Sequence, residues 1–360
     1  MGSLATLIRW LGPLAPEGKP AHVSRAEITI PGGARALRAY VHVPIAAPKG
    51  VYLLLPGLHY LGPDDTRLDR FASVLAAAGF VVVAPFFPDA IELLLAPTMF
   101  TDAETALHFA IAEAERRSLP PPALFSISFG SILALHLAAH PEFRGRASRG
   151  LLFGGFAELF PAVEYAVTGR ALYQDSALRA KRDPLNSPVV FMNLLPHLAL
   201  PAGADRELLL RAWRTMVHRT WGRTELKLDG ARDPHAHAIA RGLPDELRLP
   251  FLRGCGVAPG SFGWLKEGIA AAGDAMTRFD AGDRPARVHT PLTLVHGRDD
   301  DVIPYFESLK IAERLPPEMR RRTCITGLYG HTASARPTLG AIAAEARALY
   351  GMLSDLAGER

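Results

Sequence analysis

The chain has 360 residues, 49% of them apolar and 21% charged, with a formal net charge of +4. That is ordinary globular composition at a length above one average domain, so one large unit or a core plus an insertion is expected. The basic residues are dispersed, as at 320–322 and at Arg144, Arg146 and Arg149, with no long basic tract, so solvated faces are expected rather than a nucleic-acid surface. Only Cys255 and Cys324 are present, without a C-x-x-C pair, which excludes a disulfide framework and fits a reducing compartment. No apolar run reaches the roughly 18 residues of a membrane span.

The first eleven residues lack a basic n-region and a signal-peptide cleavage site, so a cytoplasmic protein is expected. They match the M-G-x-x-x-[ST] acylation pattern, but a short amphipathic helix packed on the body is the preferred reading. Residues 1–25 are set apart as an N-terminal extension. Residues 26–30 and 37–43 alternate apolar side chains around Pro31, Gly32 and Gly33, which predicts an antiparallel hairpin at a sheet edge. Residues 50–55 form a continuous apolar strand that ends in Pro56, Gly57, Leu58 and His59. A helix over 69–79 stops at Gly79, and 80–85 is a second buried strand. The next helix, 101–117, opens with a Thr-x-x-Glu capping box at Thr101 and Glu104.

Residues 122–125 predict a short buried strand and 132–139 a helix that is apolar nearly all round. The chain must turn between them within about four residues, which calls for small side chains flanking the turning point. Ser126 and Gly130 stand two before and two after Ser128, the geometry that lifts a serine hydroxyl above a sheet at a helix N-terminus. Ser126 occupies the place of the first glycine in G-x-S-x-G. Residues 149–154 give the next strand. Continuous apolar strands alternating with helices predict an α/β fold with a mostly parallel sheet covered on both faces.

From 156 to 287 the alternation breaks into helical segments, loops and prolines without a convincing buried strand, including helices over 208–220 and 264–279. The sheet pattern resumes at 291–297, followed by a helix over 305–315, a strand over 323–326 and a last helix over 338–356. The expected division is therefore a core in two parts, 26–155 and 288–360, with a helical insertion at 156–287.

A serine nucleophile needs a base, an orienting acid and an oxyanion hole. The loop after 291–297 carries Asp299, Asp300 and Asp301. Asp300 is preferred as the acid with its two neighbours left open, and Asp301 also suits a helix N-cap. His331, between the last strand and the last helix, is the expected base. The oxyanion donors are expected to be the backbone N–H groups of Phe129 and Leu58. His59, beside that loop, is a candidate for substrate contact or for a structural hydrogen bond. His136 sits in an apolar helix and reads as a satisfied core residue. His235 and His237 lack an acidic or sulfur partner at metal spacing, so no metal site is expected.

With S-I-S-F-G at 126–130, P-G-L-H at 56–59, G-R-D-D-D-V-I-P at 297–304 and G-H at 330–331, the chain resembles the α/β-hydrolase superfamily over about 26–155 and 288–356. The chain order Ser128, Asp300, His331 is the superfamily's order. The resemblance implies an eight-stranded, mostly parallel sheet, a Ser–His–Asp triad, no cofactor, and a cap domain inserted after the sixth strand. Pro56 departs from the family's usual H-G-G or H-G-x-x-G loop. The expected activity is cleavage of a small-molecule ester or thioester. An apolar acyl part is read from Phe191, Met192, Leu194 and Trp213, which could equally form the insertion's own core. Acyl transfer, peptide cleavage, carbon–carbon hydrolysis and a silent binding role are the alternatives on the same scaffold.

Overall fold

The computed structural model describes residues 2–33, 35–174, 176–179, 181–327 and 339–359. They divide into two compact units: Met1–Ala157 with Ala281–Asp299 and Tyr305–Arg360, and Glu158–Asp280 with Asp300–Pro304. Among the described residues no helix is long and apolar enough to cross a membrane.

The first unit is built on an eight-stranded sheet. Strands β1 (Val23–Ile30) and β2 (Leu37–Pro44) form an antiparallel hairpin at one edge. Beyond it lie β4 (Phe80–Pro85), β3 (Gly50–Leu55), β5 (Ala123–Ile127), β6 (Arg149–Phe153), β9 (Leu292–Gly297) and β10 (Arg320–Thr326), in that order. Only the β1–β2 and β2–β4 pairings are antiparallel; the other five are parallel. Every residue of β3, β4 and β9 is buried, which is why β3 and β4 are continuously apolar rather than alternating, while the buried Thr293 and His296 of β9 are paired with Asp355 and Ser308.

Alternate side chains then serve two layers. Tyr52, Leu54, Val82, Phe125 and Val295 face a cluster that includes Leu7 of α1 (Ser3–Leu11), Ala72 and Leu75 of α2 (Thr66–Ala77), and Leu353 of α13 (Leu339–Ala357). Helix α4 (Thr98–Arg116) packs on β3, α5 (Gly130–Ala139) on β5 and β6, and α12 (Phe306–Arg314) on β9. Short α3 (Pro88–Ile91) bridges β4 and α4. In α5 every residue except His136 is buried, and His136 Nε2 meets Glu104 Oε1 at 2.7 Å, so this histidine is a satisfied structural residue.

Two predicted helix starts move. Helix α2 begins at Thr66, three residues ahead of the predicted start, because the Asp65 carboxylate accepts the Arg67 N–H and caps it. Helix α4 begins at Thr98, so Thr101 and Glu104 form no capping box. The Thr101 hydroxyl bonds back to the Thr98 carbonyl from inside the helix, and Glu104 turns to His136.

The second unit carries its own core. It contains α6 (Leu159–Thr168), a small hairpin of β7 (Arg170–Tyr173) and β8 (Ser176–Arg179), then α7 (Ser187–Leu194), α8 (Arg206–Thr220), α9 (Asp233–Ala240), α10 (Asp245–Gly254) and α11 (Ser261–Ala272). β7 runs half-buried and exposed in alternation, too weak a pattern to read as a strand. The predicted helix over 264–279 breaks at Gly273 (φ +48) into a 3₁₀ segment. Phe191 stacks on Trp264 at 5.1 Å, and Trp213 donates through Nε1 to the Phe251 carbonyl. Phe191, Met192, Leu194 and Trp213 are all buried here, so these side chains are core and give no support to an apolar substrate.

One buried histidine makes the first unit acid-sensitive. His42 on β2 is 1% exposed; burial pushes its imidazole down to about 4, and the nearby charges of Arg25 and Lys19 act in the same direction. The unfolded imidazole titrates near ~6.5, so in the window from there down to the folded value the unfolded chain binds more protons. Stability therefore falls as pH falls through that window, by ~2 kcal/mol between about pH 7 and pH 5. Denaturant unfolding at stepped pH is expected to show this slope, and His42→Leu is expected to flatten it. An unchanged slope would assign the sensitivity to other groups.

Candidate active site

Strand β5 ends at Ile127 and α5 begins at Gly130, so the chain reverses over Ser128 and Phe129. Ser128 is forced to φ +53, a left-handed conformation that costs a non-glycine residue roughly 1–3 kcal/mol and persists only where its surroundings hold it. The Ser128 N–H donates to the Phe153 carbonyl at 2.8 Å, tying the turn to β6. Its own carbonyl accepts the Ser131 N–H and opens the helix.

The small residues around the serine have separate reasons. A Cβ on Gly130 would overlap the Leu55 carbonyl oxygen and stand 2.8 Å from the Pro56 oxygen, so only glycine lets α5 sit against the end of β3. Gly57 is tight but less so, since a Cβ there would lie 3.1 Å from Ser128 Cβ and 3.2 Å from the Ile127 oxygen. Ser126, by contrast, is a strand residue paired with Leu55 on one side and Leu152 on the other, and its φ is not positive. Nothing in its backbone demands glycine, and its short side chain is fully buried.

The loop after β3 is held from α2. His59 Nδ1 accepts the Leu61 N–H at 3.3 Å, while Nε2 lies 3.3 Å from Asp65 Oδ2. Burial lowers the His59 pKa against the opposing charge of Asp65, so the ring is neutral near pH 7, with Nε2 facing the ionised aspartate. Burial alone would raise the Asp65 carboxyl, but the hydrogen bonds from Arg67 outweigh it and hold the group below the usual carboxylate range. The His59 N–H donates to the Ala90 carbonyl, and among the described residues the Leu58 N–H has no hydrogen-bond partner. Asp65 and Arg67 were missed in the sequence; the helix-capping position of Asp65 was the one signal available.

Ser128, Leu58, His59 and Asp65 line one cavity of about 420 Å³. Its far wall is apolar and comes from the first unit itself, including Leu11 of α1, Phe71 of α2, Phe125 and Ile127 of β5, and Met352 and Leu356 of α13.

The expected acid and base lie elsewhere in the chain. Asp300 belongs to the second unit, where its Oδ1 accepts the N–H groups of Val302 and Ile303 at 2.8 and 2.9 Å and its carbonyl accepts the Tyr165 hydroxyl. Asp301 pairs with Lys227 at 2.8 Å rather than capping a helix, because α12 starts only at Phe306. Asp299 is exposed. His331 lies outside the described residues.

No family model matches the chain, and no curated protein matches it. Solved structures do. A Pyrobaculum calidifontis esterase aligns with TM-score 0.50 at 15% identity, over 99% of this chain and 89% of that one. A soluble variant of monoglyceride lipase from Saccharomyces cerevisiae, bound to a substrate analogue, aligns with TM-score 0.50 at 14% identity, over 95% and 98%. A Pyrococcus horikoshii acylaminoacyl peptidase also aligns (TM-score 0.45, 11% identity, 94% of this chain), and the chain spans 41% of that protein's length. With its strand order and its Ser128 turn, the chain has the fold of the α/β-hydrolase superfamily.

The strain at Ser128 is testable without any substrate. Ser128→Gly removes the left-handed penalty at the cost of a more flexible unfolded chain, and is expected to raise the unfolding free energy by up to about 1 kcal/mol. Denaturant titration of the two proteins measures this. A clear loss of stability in the glycine variant would show that the turn is not strained.

Proposed function

We propose that the protein is a serine hydrolase that cleaves a carboxylic ester or thioester with an apolar acyl part. The observation that carries the reading is the Ser128 side chain at φ +53, on a strand-to-helix turn and on the wall of a largely apolar cavity. Ser128 Oγ attacks the substrate carbonyl, and His331 takes the hydroxyl proton and returns it to the leaving group. Asp300 holds the imidazole in the tautomer that can accept that proton. The N–H groups of Leu58 and Phe129 stabilise the developing oxyanion, aided by the N-terminal dipole of α5. Water then attacks the acyl-enzyme by the same route in reverse.

Asp300 is favoured over its neighbours because Asp301 is bound to Lys227, Asp299 is exposed, and the Asp300 carboxylate is oriented by two backbone N–H groups. Phe71, Phe125, Met352 and Leu356 support the apolar acyl part. Each methylene buried there contributes at most ~0.8 kcal/mol, or roughly fourfold in kcat/KM. The esterase and the lipase of similar fold bear names of the same reaction class.

A fluorophosphonate probe is expected to label Ser128, located by peptide mass mapping, and to leave Ser128→Ala unlabelled. The alanine variant is expected to stay folded and to lose at least about 10³-fold in esterase kcat. Esterase activity surviving in Ser128→Ala would refute the assignment. Across p-nitrophenyl esters kcat/KM is expected to rise from acetate toward decanoate, and Met352→Trp, which narrows the cavity, to shift the preference to shorter chains. Equal rates on acetate and decanoate would remove the acyl part of the proposal.

A further inference from the structure

The second unit holds a group of arginines for which ester hydrolysis has no use. A cavity of about 430 Å³ lies there, with Thr168, Arg170, Arg182, Gly256, Ser261 and Phe262 on its wall. Gly256, on that wall, follows α10 at φ +66. A Cβ on it would stand 3.3 Å from Ser187 Oγ and 3.8 Å from Arg232 Nη2, so both polar groups sit directly beside the glycine.

Arg232 is 6% exposed and Ser187 fully buried. Arg232 Nη2 donates to the Gly256 carbonyl at 3.1 Å, but among the described residues Nε, Nη1 and Ser187 Oγ are buried without a hydrogen-bond partner. A guanidinium does not discharge at any ordinary pH, so unlike a buried lysine it cannot escape this by losing its proton. Its unfilled donors call for an acceptor.

The surrounding charge points the same way. Among the described residues the Arg182 guanidinium makes one hydrogen bond, a long one of 3.4 Å to the Ala166 carbonyl. Burial lowers its pKa, and the like charge of Arg232 adds to that, with Asp229 and Asp183 opposing. Asp183 is already engaged, through Oδ2 with Lys227 at 2.9 Å and through Oδ1 with the Leu185 N–H. Lys227 also holds Asp301. Among the described residues neither Arg182 nor Arg232 forms an ion pair. Arg170, also on the wall, and Lys266 lie over the Phe262 ring at 6.0 and 5.0 Å, adding positive charge beside the cavity.

We infer that this cavity is a binding site for a small oxyanion, a phosphate or carboxylate group, recognised by Arg182 on its wall and by the buried Arg232 and Ser187 beside Gly256. The site stands independently of the hydrolase reading, because none of its residues takes part in that chemistry.

Calorimetric titration of the full-length chain with inorganic phosphate, and separately with benzoate, at constant ionic strength tests it. Saturable one-site binding is expected, weakened about tenfold or more in Arg182→Gln and in Arg232→Met, the effect of losing a charge-assisted hydrogen bond. Arg211→Gln, on the exposed Glu207 pair of α8, is expected to bind as the parent does. Binding of phosphate alone identifies a phosphoryl ligand and binding of benzoate alone a carboxylate, and either supports the site. Should Arg232→Met fail to fold, the half-exposed Arg182 carries the comparison. Absence of saturation by both anions up to roughly 10 mM, or binding that Arg182→Gln leaves unchanged, overturns the inference.

Discussion

The contact between Gly130 and the Leu55 carbonyl is the constraint on which the candidate site depends. Helix α5 can begin that close to β3 only because position 130 has no side chain, and the closeness shortens the turn until Ser128 must go left-handed. The strain is held by neighbours on three sides: Phe153 accepts the Ser128 N–H, Gly57 abuts its Cβ, and the almost wholly buried α5 anchors the far end. A local cost of roughly 1–3 kcal/mol is small against the burial of a ten-residue apolar helix.

The two faces of the sheet are filled differently. On the side of α5, small residues bring backbones together; a Cβ on Gly155 would lie 2.8 Å from Ser131 Oγ. On the side of α1, α2 and α13, larger side chains leave a cavity with Ser128 on its wall. Asp65 links that cavity to the fold, since one carboxylate caps α2, takes the Arg67 guanidinium and faces His59 in the loop after β3. A helix cap and the geometry of a candidate oxyanion loop thus share a single side chain.

The second unit shows the opposite balance of apolar and polar groups. Its aromatic residues, which by type could have lined a ligand site, close on each other around Trp213 and Trp264. Its cavity is bordered instead by arginines, with buried donors that no other described group fills. Apolar side chains find partners anywhere in a core, whereas a guanidinium is satisfied only by an acceptor in the right direction.

Much of the fold was legible because it is written in short range. Runs such as 50–55 and 80–85 are apolar at every position, which only a doubly covered parallel strand requires, and the serine turn announces itself through Gly130 within five residues. The helix start at Thr66 was misread because Asp64, Asp65, Thr66 and Asp69 could each cap it, and the start at Thr98 because that helix has no side-chain cap to read. No local pattern joins His59 to Asp65, marks Gly57 as the neighbour of Ser128, or sets Arg182 near Arg232 and Arg232 beside Gly256. The sequence by itself determined the strands of the eight-stranded sheet and most of the helices around it, and where the serine turn falls, since periodicity and backbone sterics act between near neighbours. Which aromatics became core and where the two cavities opened were decided only by tertiary structure, because packing and hydrogen-bond direction join residues far apart in the chain.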